Sequence, residues 1–378
     1  MRIYLDHNAT APLRPEARDA MTAFLGPPAN PSSAHREGAR ARAAVEAARA
    51  DVAALVGAAP GEIVFTSGAT EANNLALRGV LASAGATPVL VTTAVEHASV
   101  LEPARALAGA RLRSVGVDAE GRLGTEAVRT AAAGAVLASV GLANGEMGAV
   151  APVAEIAGAV RPAGVLVHSD AAQAVGRIPV DVRRLGVDLL SLSSHKLGGP
   201  AGVGALWVRP GVRLAPLLLG GPQERGRRAG SENVAAIVGF GAAARVALRE
   251  LSAAGATARA LTERLWEGLV ARVPGVVRNG PADEPRLPNT LNVSFAGCAG
   301  ESLVVLLDLA DVAVSAGSAC AAGAVEPSHV LLAMGRDGTA ARGGLRLSVG
   351  PSTTADEIDH VLDLLPSLVR QVRSGAAA

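Results

Sequence analysis

The sequence predicts an α/β protein: a largely parallel sheet covered by helices, followed by a smaller α+β region. Three observations carry this. Short apolar runs alternate with helical periodicity, most of those runs are strand-length and lack polar alternation, and the texture changes after about residue 245. Ala, Arg and Glu recur at helical spacing over about residues 35–56. Glu62–Phe65 is then β-prone, and Thr70–Leu81 is amphipathic again. Strands are expected at Val89–Thr92, Val136–Val140, Val165–His168, Asp188–Leu192 and Val203–Val208, with helix-like stretches between most of them. Past the change in texture, a long helix over about 246–272 leads to a Pro-rich turn near Pro281–Pro288. Strands at Asn289–Phe295, Val312–Val314 and Gly344–Val349 and helices near Ser302–Leu309 and Ala355–Arg373 complete the smaller region.

At roughly 100 to 200 residues per domain, the length suits two or three domains and a sizeable core. Thirty-five basic against thirty-four acidic residues leave a net charge of +1. Composition therefore gives no reason to expect a direct nucleic-acid partner. Cys298 and Cys320 are the only cysteines, which excludes a disulfide framework and suits a reducing compartment. The N-terminus lacks the basic start and long apolar run of a signal peptide, and Gly, Pro, Thr or charge interrupts every apolar run before membrane length. The expectation is a soluble cytoplasmic protein with no membrane partner.

Lys196 is the only lysine; the remaining cationic side chains are arginine. Arginine replaces lysine as a charge but not as a neutral amine that forms a Schiff base. Asp170 and Lys196 each fall just past an apolar run, and ligands of open α/β sheets bind outside the carboxyl ends of strands. A lysine and a carboxylate facing one pocket are what pyridoxal phosphate requires: the amine holds its aldehyde, and the carboxylate keeps its ring nitrogen protonated. Taken alone, Asp170 serves equally well as a cap for a helix beginning near Ala171. Ile63–Glu71 reads as strand, small-residue turn and helix, a candidate phosphate site in which Ala69 and Thr70 sit at the helix start. A plain helix N-cap has equal weight there. Ser193 and His195, which flank the lysine, and Ser231 on a Gly-rich loop are further candidate phosphate donors.

Seven segments now bear jointly on the family: Tyr4–Thr10, Asn30–His35, Thr66–Glu71, Glu96–Val100, Asp170–Gln173, Ser193–Lys196 and Ser315–Cys320. In this order they resemble the cysteine desulfurases, fold-type I pyridoxal phosphate enzymes of the class V aminotransferase superfamily, across nearly the whole chain. The Ser-Ala-Cys form at Ser318–Cys320 is similar to the group I branch. The resemblance implies a large domain over 14–245 with a mainly parallel seven-stranded sheet. A small domain of residues 1–13 and 246–378 would carry the cysteine loop. It also implies roles. Lys196 would bind the cofactor and move the Cα proton, Asp170 would hold the ring nitrogen, and His97 would stack on the ring and assist proton transfer. Gln173, and Asn144 as a substitute, would touch the ring hydroxyl. Arg346 would clamp the substrate carboxylate through its fork with help from Asn30. Ser231 would reach the phosphate of a partner subunit in a homodimer.

Cys320 would carry the distinguishing step: its thiolate attacks the sulfur of L-cysteine, leaving alanine and a persulfide on Cys320. That sulfur would pass to a protein acceptor, in iron–sulfur cluster assembly or thiolation. A selenocysteine lyase or another class V aminotransferase or lyase is the alternative on the same scaffold. Cys298 lacks such a context and reads as packing or surface. One departure concerns the ring: the family usually has Asn-Asn-Glu where this chain has Asn144-Gly145-Glu146.

Overall fold

A computed structural model describes residues 2–84, 87–107, 111–317 and 327–375. Its strands in chain order are β1 (Ile3–Tyr4), β2 (Ile63–Thr66), β3 (Val89–Thr93), β4 (Arg111–Val115), β5 (Leu137–Ser139), β6 (Leu166–Asp170), β7 (Leu189–Ser193), β8 (Gly204–Val208), β9 (Val276–Arg278), β10 (Thr290–Phe295), β11 (Val312–Ala313) and β12 (Gly344–Ser348). Seven of them form one sheet in the order β2-β8-β7-β6-β5-β3-β4. β7, β6, β5, β3 and β4 are mutually parallel, and β8 alone runs against its neighbours β7 and β2. Every residue of β2, β3, β7 and β8 is buried, as expected where helices cover both faces and no polar alternation is needed.

One apolar core lies beneath the helices Arg36–Leu55 and Val234–Arg272, with Val45, Val52, Phe65, Leu190 and Phe240 in it. A second cluster covers the other sheet face under the helix Ala69–Leu81, through Leu75, Val80, Leu90 and Leu206. A third core belongs to the antiparallel sheet β12-β10-β9 and the parallel pair β1-β11. There Ile3 and Leu5 pack with Leu265, Phe295, Leu345 and Leu365. No helix among the described residues is long and apolar enough to cross a membrane.

Strands β1, β4 and β9 lie outside the sequence expectation, and the long helix starts elsewhere than expected. The polar run Arg111–Val115 forms the edge strand β4, whose partly exposed residues need no apolar pattern. The long helix starts at Val234 rather than near 246, capped by Asn233, whose side chain accepts from the Ala236 amide at 3.2 Å. Val234–Ala247 is almost wholly apolar or small and largely buried, so no polar face marked its helical period. The expected domain boundary at 245/246 thus falls inside one continuous helix, with Ala244 and Ala247 in the first core and Leu261, Leu265 and Leu269 in the third.

The sheet also sets the site's geometry at Gly204. A Cβ there would stand 2.5 Å from the Leu192 carbonyl and within 2.7 Å of the Gly68 backbone, so its absence lets the turn after β2 close onto the sheet.

Candidate active site

The carboxyl ends of β6 and β7 and the turns after β2 and β3 converge on a cavity of about 570 Å³, a usual size for a small-molecule site. Ala69, Thr70, His97, Asn144, Asp170, Gln173, Ser193, His195, Lys196 and Arg346 all line it. Asn30 and Ser231 are exposed and lie outside that lining. Cys320 lies outside the described residues, while Cys298 is buried and donates its thiol to the Val369 carbonyl.

Lys196 sits in the turn after β7, where the Leu197 and Gly199 amides both donate to the Ser194 carbonyl. Its Nζ donates to the backbone carbonyls of Asn8 and Ala9, so the segment after β1 lies against the amine. Asp170 ends β6; its Oδ1 accepts from the Ala172 amide at 2.9 Å and its Oδ2 from Asn73 Nδ2 at 2.7 Å. Asn73 is fully buried and also donates to Ser99 Oγ at 2.8 Å, whereas its own Oδ1 has no partner.

His97 caps the helix Ala98–Ala106: its Nδ1 accepts from the Ser99 amide at 3.1 Å and lies 2.7 Å from Ser99 Oγ. Burial holds its imidazole below the usual histidine range, with Asp170 opposing and Lys196 and His329 reinforcing the shift. Burial, aided by Lys196 and Arg177, depresses His195 to about 4. Glu96 is buried beside them and pushed up to about 7 by burial, although it accepts from the Gly141 amide and Thr93 Oγ1.

At the turn after β2, the Ser67 amide donates to Glu71 Oε2 at 2.7 Å, and Arg228 Nε holds the same carboxylate at 2.9 Å. The helix that follows starts at Ala69, leaving its first amide groups without intrahelical acceptors. The backbone at Gly68 and Gly202, both in the cavity wall, faces open space: a Cβ at either would meet nothing within 4 Å. An amine, a carboxylate and a helix N-terminus around such a space fit an aromatic aldehyde that bears a phosphate.

On the opposite wall, Arg346 of β12 is buried; its Nη2 donates to Asp6 Oδ1 at 2.6 Å and its Nη1 to the Gly145 carbonyl at 3.3 Å. The fork expected to hold a substrate carboxylate therefore holds Asp6, and its Nε has no partner. Asn144 is committed to its own turn, donating to the Val95 carbonyl and accepting from the Glu146 and Met147 amides. Gln173 donates to the Asn8 carbonyl at 3.0 Å, and its Oε1 accepts from Arg177. A Cβ at Gly145 would lie 2.6 Å from the Gln173 amide carbon, so this placement of Gln173 requires the glycine that replaces the family's asparagine.

Asn73, Ser99 and Asp6 are site residues that sequence reasoning missed. The available signal was one buried-type polar residue, Asn73, between Ala72 and Leu75 on the apolar face of its helix.

The aminotransferase class-V family description matches residues 3–361. A cysteine desulfurase of Cereibacter sphaeroides is 48% identical over 99% of this chain and 97% of its own length. Among solved structures, a NifS-like protein superposes with a TM-score of 0.92 at 36% identity, covering 98% of this chain and all of the other. SspA in complex with cysteine is similar at TM-score 0.82 and 32% identity, over 94% of this chain and all of its own.

Proposed function

This chain belongs to the class-V aminotransferase family and is a cysteine desulfurase, and on that premise we propose that Lys196, His97 and Cys320 act on L-cysteine around bound pyridoxal phosphate. The observation that carries this reading is the meeting of the single lysine, Asp170, His97 and the phosphate turn on one cavity. The family is pyridoxal phosphate-dependent in general. Asp170 would hold the ring nitrogen, Lys196 the aldehyde carbon, and Ala69, Thr70, Ser193 and His195 the phosphate. Gln173, which lines the cavity, would touch the ring hydroxyl. Bound there, the group supplies an electron sink that acidifies the substrate Cα proton and weakens its Cβ–S bond.

The chain's own residues then divide the work. Lys196 Nζ, when neutral, takes the Cα proton and later returns a proton to the carbon skeleton. Arg346 orients the substrate carboxylate, shared with or released from Asp6, with Asn30 in support. The Cys320 thiolate attacks the substrate sulfur: the S–S bond forms as the C–S bond breaks, and the carbon fragment leaves as alanine. The persulfide serves a protein acceptor in cluster assembly or thiolation. The exposed positions of Ser231 and Asn30 support a homodimer in which Ser231 reaches the neighbour's phosphate. The same reading divides the chain into 14–245 and 1–13 with 246–378; the separate apolar cores support two regions, with Ala247 and Leu287 packing in the first of them.

The test is turnover of L-cysteine by the pyridoxal phosphate-loaded protein, with alanine and sulfide quantified alongside Cys320→Ala. Equal amounts of both, lost in the variant, are expected. Alanine formation that survives the substitution removes Cys320 from the mechanism.

A further inference from the structure

The hydrogen bonds behind His97 form a line whose direction can be assigned atom by atom. Asp170, as a carboxylate, only accepts, so the Asn73 amide must turn its Nδ2 toward it. That orientation leaves Asn73 Oδ1 buried without a partner among the described residues, a cost that the opposite rotamer would relieve only by facing oxygen with oxygen at Asp170. The second hydrogen on Nδ2 occupies a lone pair of Ser99 Oγ, and the hydroxyl lies 2.7 Å from His97 Nδ1, to which it can direct its own proton. The Ser99 amide donates to the same nitrogen. A ring nitrogen that accepts two hydrogen bonds carries no proton, and a neutral imidazole then has its hydrogen on Nε2.

We propose that Asn73 and Ser99 are positioning residues that fix His97 as the neutral Nε2–H tautomer through a continuous line of hydrogen bonds from Asp170. The consequence is chemical. To become a cation, His97 must break the bond from the Ser99 amide to Nδ1 and reverse the one with the Ser99 hydroxyl, so the neutral Nε2–H form is favoured over a group that titrates with the substrate. The same line sets the ring plane, because Nδ1 is anchored on the helix that His97 itself caps. Its effect on turnover rests on the functional reading above; the tautomer itself does not.

The experiment is nitrogen NMR on the full chain labelled at histidine, with and without pyridoxal phosphate, the His97 signals being assigned by their loss in His97→Gln. The expected result is a protonated Nε2 and an unprotonated Nδ1 across neutral pH. Ser99→Ala removes one donor to the neutral ring and is expected to raise the His97 titration midpoint by roughly half to one pH unit, and Ser99→Thr to restore it. Asn73→Leu, which frees the hydroxyl to turn away, should move the midpoint in the same direction. A proton on Nδ1 in the unaltered chain, or a midpoint that does not move in Ser99→Ala, overturns the proposal. Failure of the loaded protein to develop imine absorbance would instead strike the cofactor reading and leave the tautomer measurement readable.

Discussion

The two walls of the cavity are built from different chemistry. On the wall from the seven-stranded sheet, the groups behind the ring of His97 form a line of neutral side chains, His97, Ser99 and Asn73, that ends on the Asp170 carboxylate. The wall from β12, the segment after β1 and the Gly145-Glu146 turn is made of charges at close quarters. Arg346 is paired with Asp6. Behind them, Arg177 donates to the His7 and Gln173 carbonyls and to the Gln173 amide oxygen, and it is pulled down to about 9 by burial and Arg346. Buried charged groups there also keep unmet bonding capacity, at Arg346 Nε and Glu146 Oε2. Burial raises Glu146 above the usual carboxylate range. The difference teaches where preorganisation and response each reside: neutral hydrogen bonds hold one geometry across pH, whereas a strained set of charges has something to gain from an incoming carboxylate and amine.

The comparison breaks most easily at Arg346. Arg346→Ala leaves the partly buried Asp6 uncompensated and is expected to cost about 3–5 kcal/mol of stability, read by denaturant unfolding. Arg346→Lys keeps the charge but loses the fork. It should leave folding largely intact while lowering kcat/KM for L-cysteine about ten- to a hundredfold, chiefly through KM, as expected for ~1.4–2.8 kcal/mol of lost charge-assisted bonding. An unchanged KM would mean that the pair with Asp6 is structural only.

A finer test sits at the seam between the walls. Gly145→Asn is expected to destabilise by about 1–3 kcal/mol through overpacking against Gln173. Gln173→Ala in the same chain should recover much of the loss, a coupling that a double-mutant cycle measures. If Gly145→Asn is neutral, Gln173 yields readily and is not a fixed part of the wall.

The gentlest probe is Glu96. Its pKa in the fold, about 7, stands above the ordinary 4.5, so the native state binds the extra proton between those values. Its contribution to stability is fully present below about pH 4.5 and is lost as pH rises through about 7. Glu96→Gln should flatten that decline, by at most about 1.4 kcal/mol per pH unit. The same slope in both proteins would show that Glu96 does not titrate in this window.

Much of this was legible in the chain because the burial that makes strands also makes their pattern. β3, β7 and β8 are buried along their whole length and appear as unbroken apolar runs, whereas the exposed edge strand β4 has no such run to betray it. Lys196 was legible as the only lysine and Asp170 as a carboxylate just past an apolar run, whereas His97 was singled out only by the family resemblance. What remained hidden depends on distance in space. Asp6 and Arg346 lie 340 positions apart in sequence, and no local pattern ties Asn73 to Ser99 and Asp170. Gly145 was visible as a departure, but its cause, the Gln173 amide occupying the space of a side chain, is a matter of packing.

The helix Val234–Arg272 has a mechanical consequence. Its 39 residues make a rod about 58 Å long at 1.5 Å per residue, embedded at one end in the sheet core and at the other in the core that bears Arg346. Swinging the C-terminal region about the cavity would bend that rod and stretch its backbone hydrogen bonds. The span between Arg346 and Asp170 thus behaves like the gap of a caliper whose two jaws share one spine: it tolerates small elastic flexing and resists hinging.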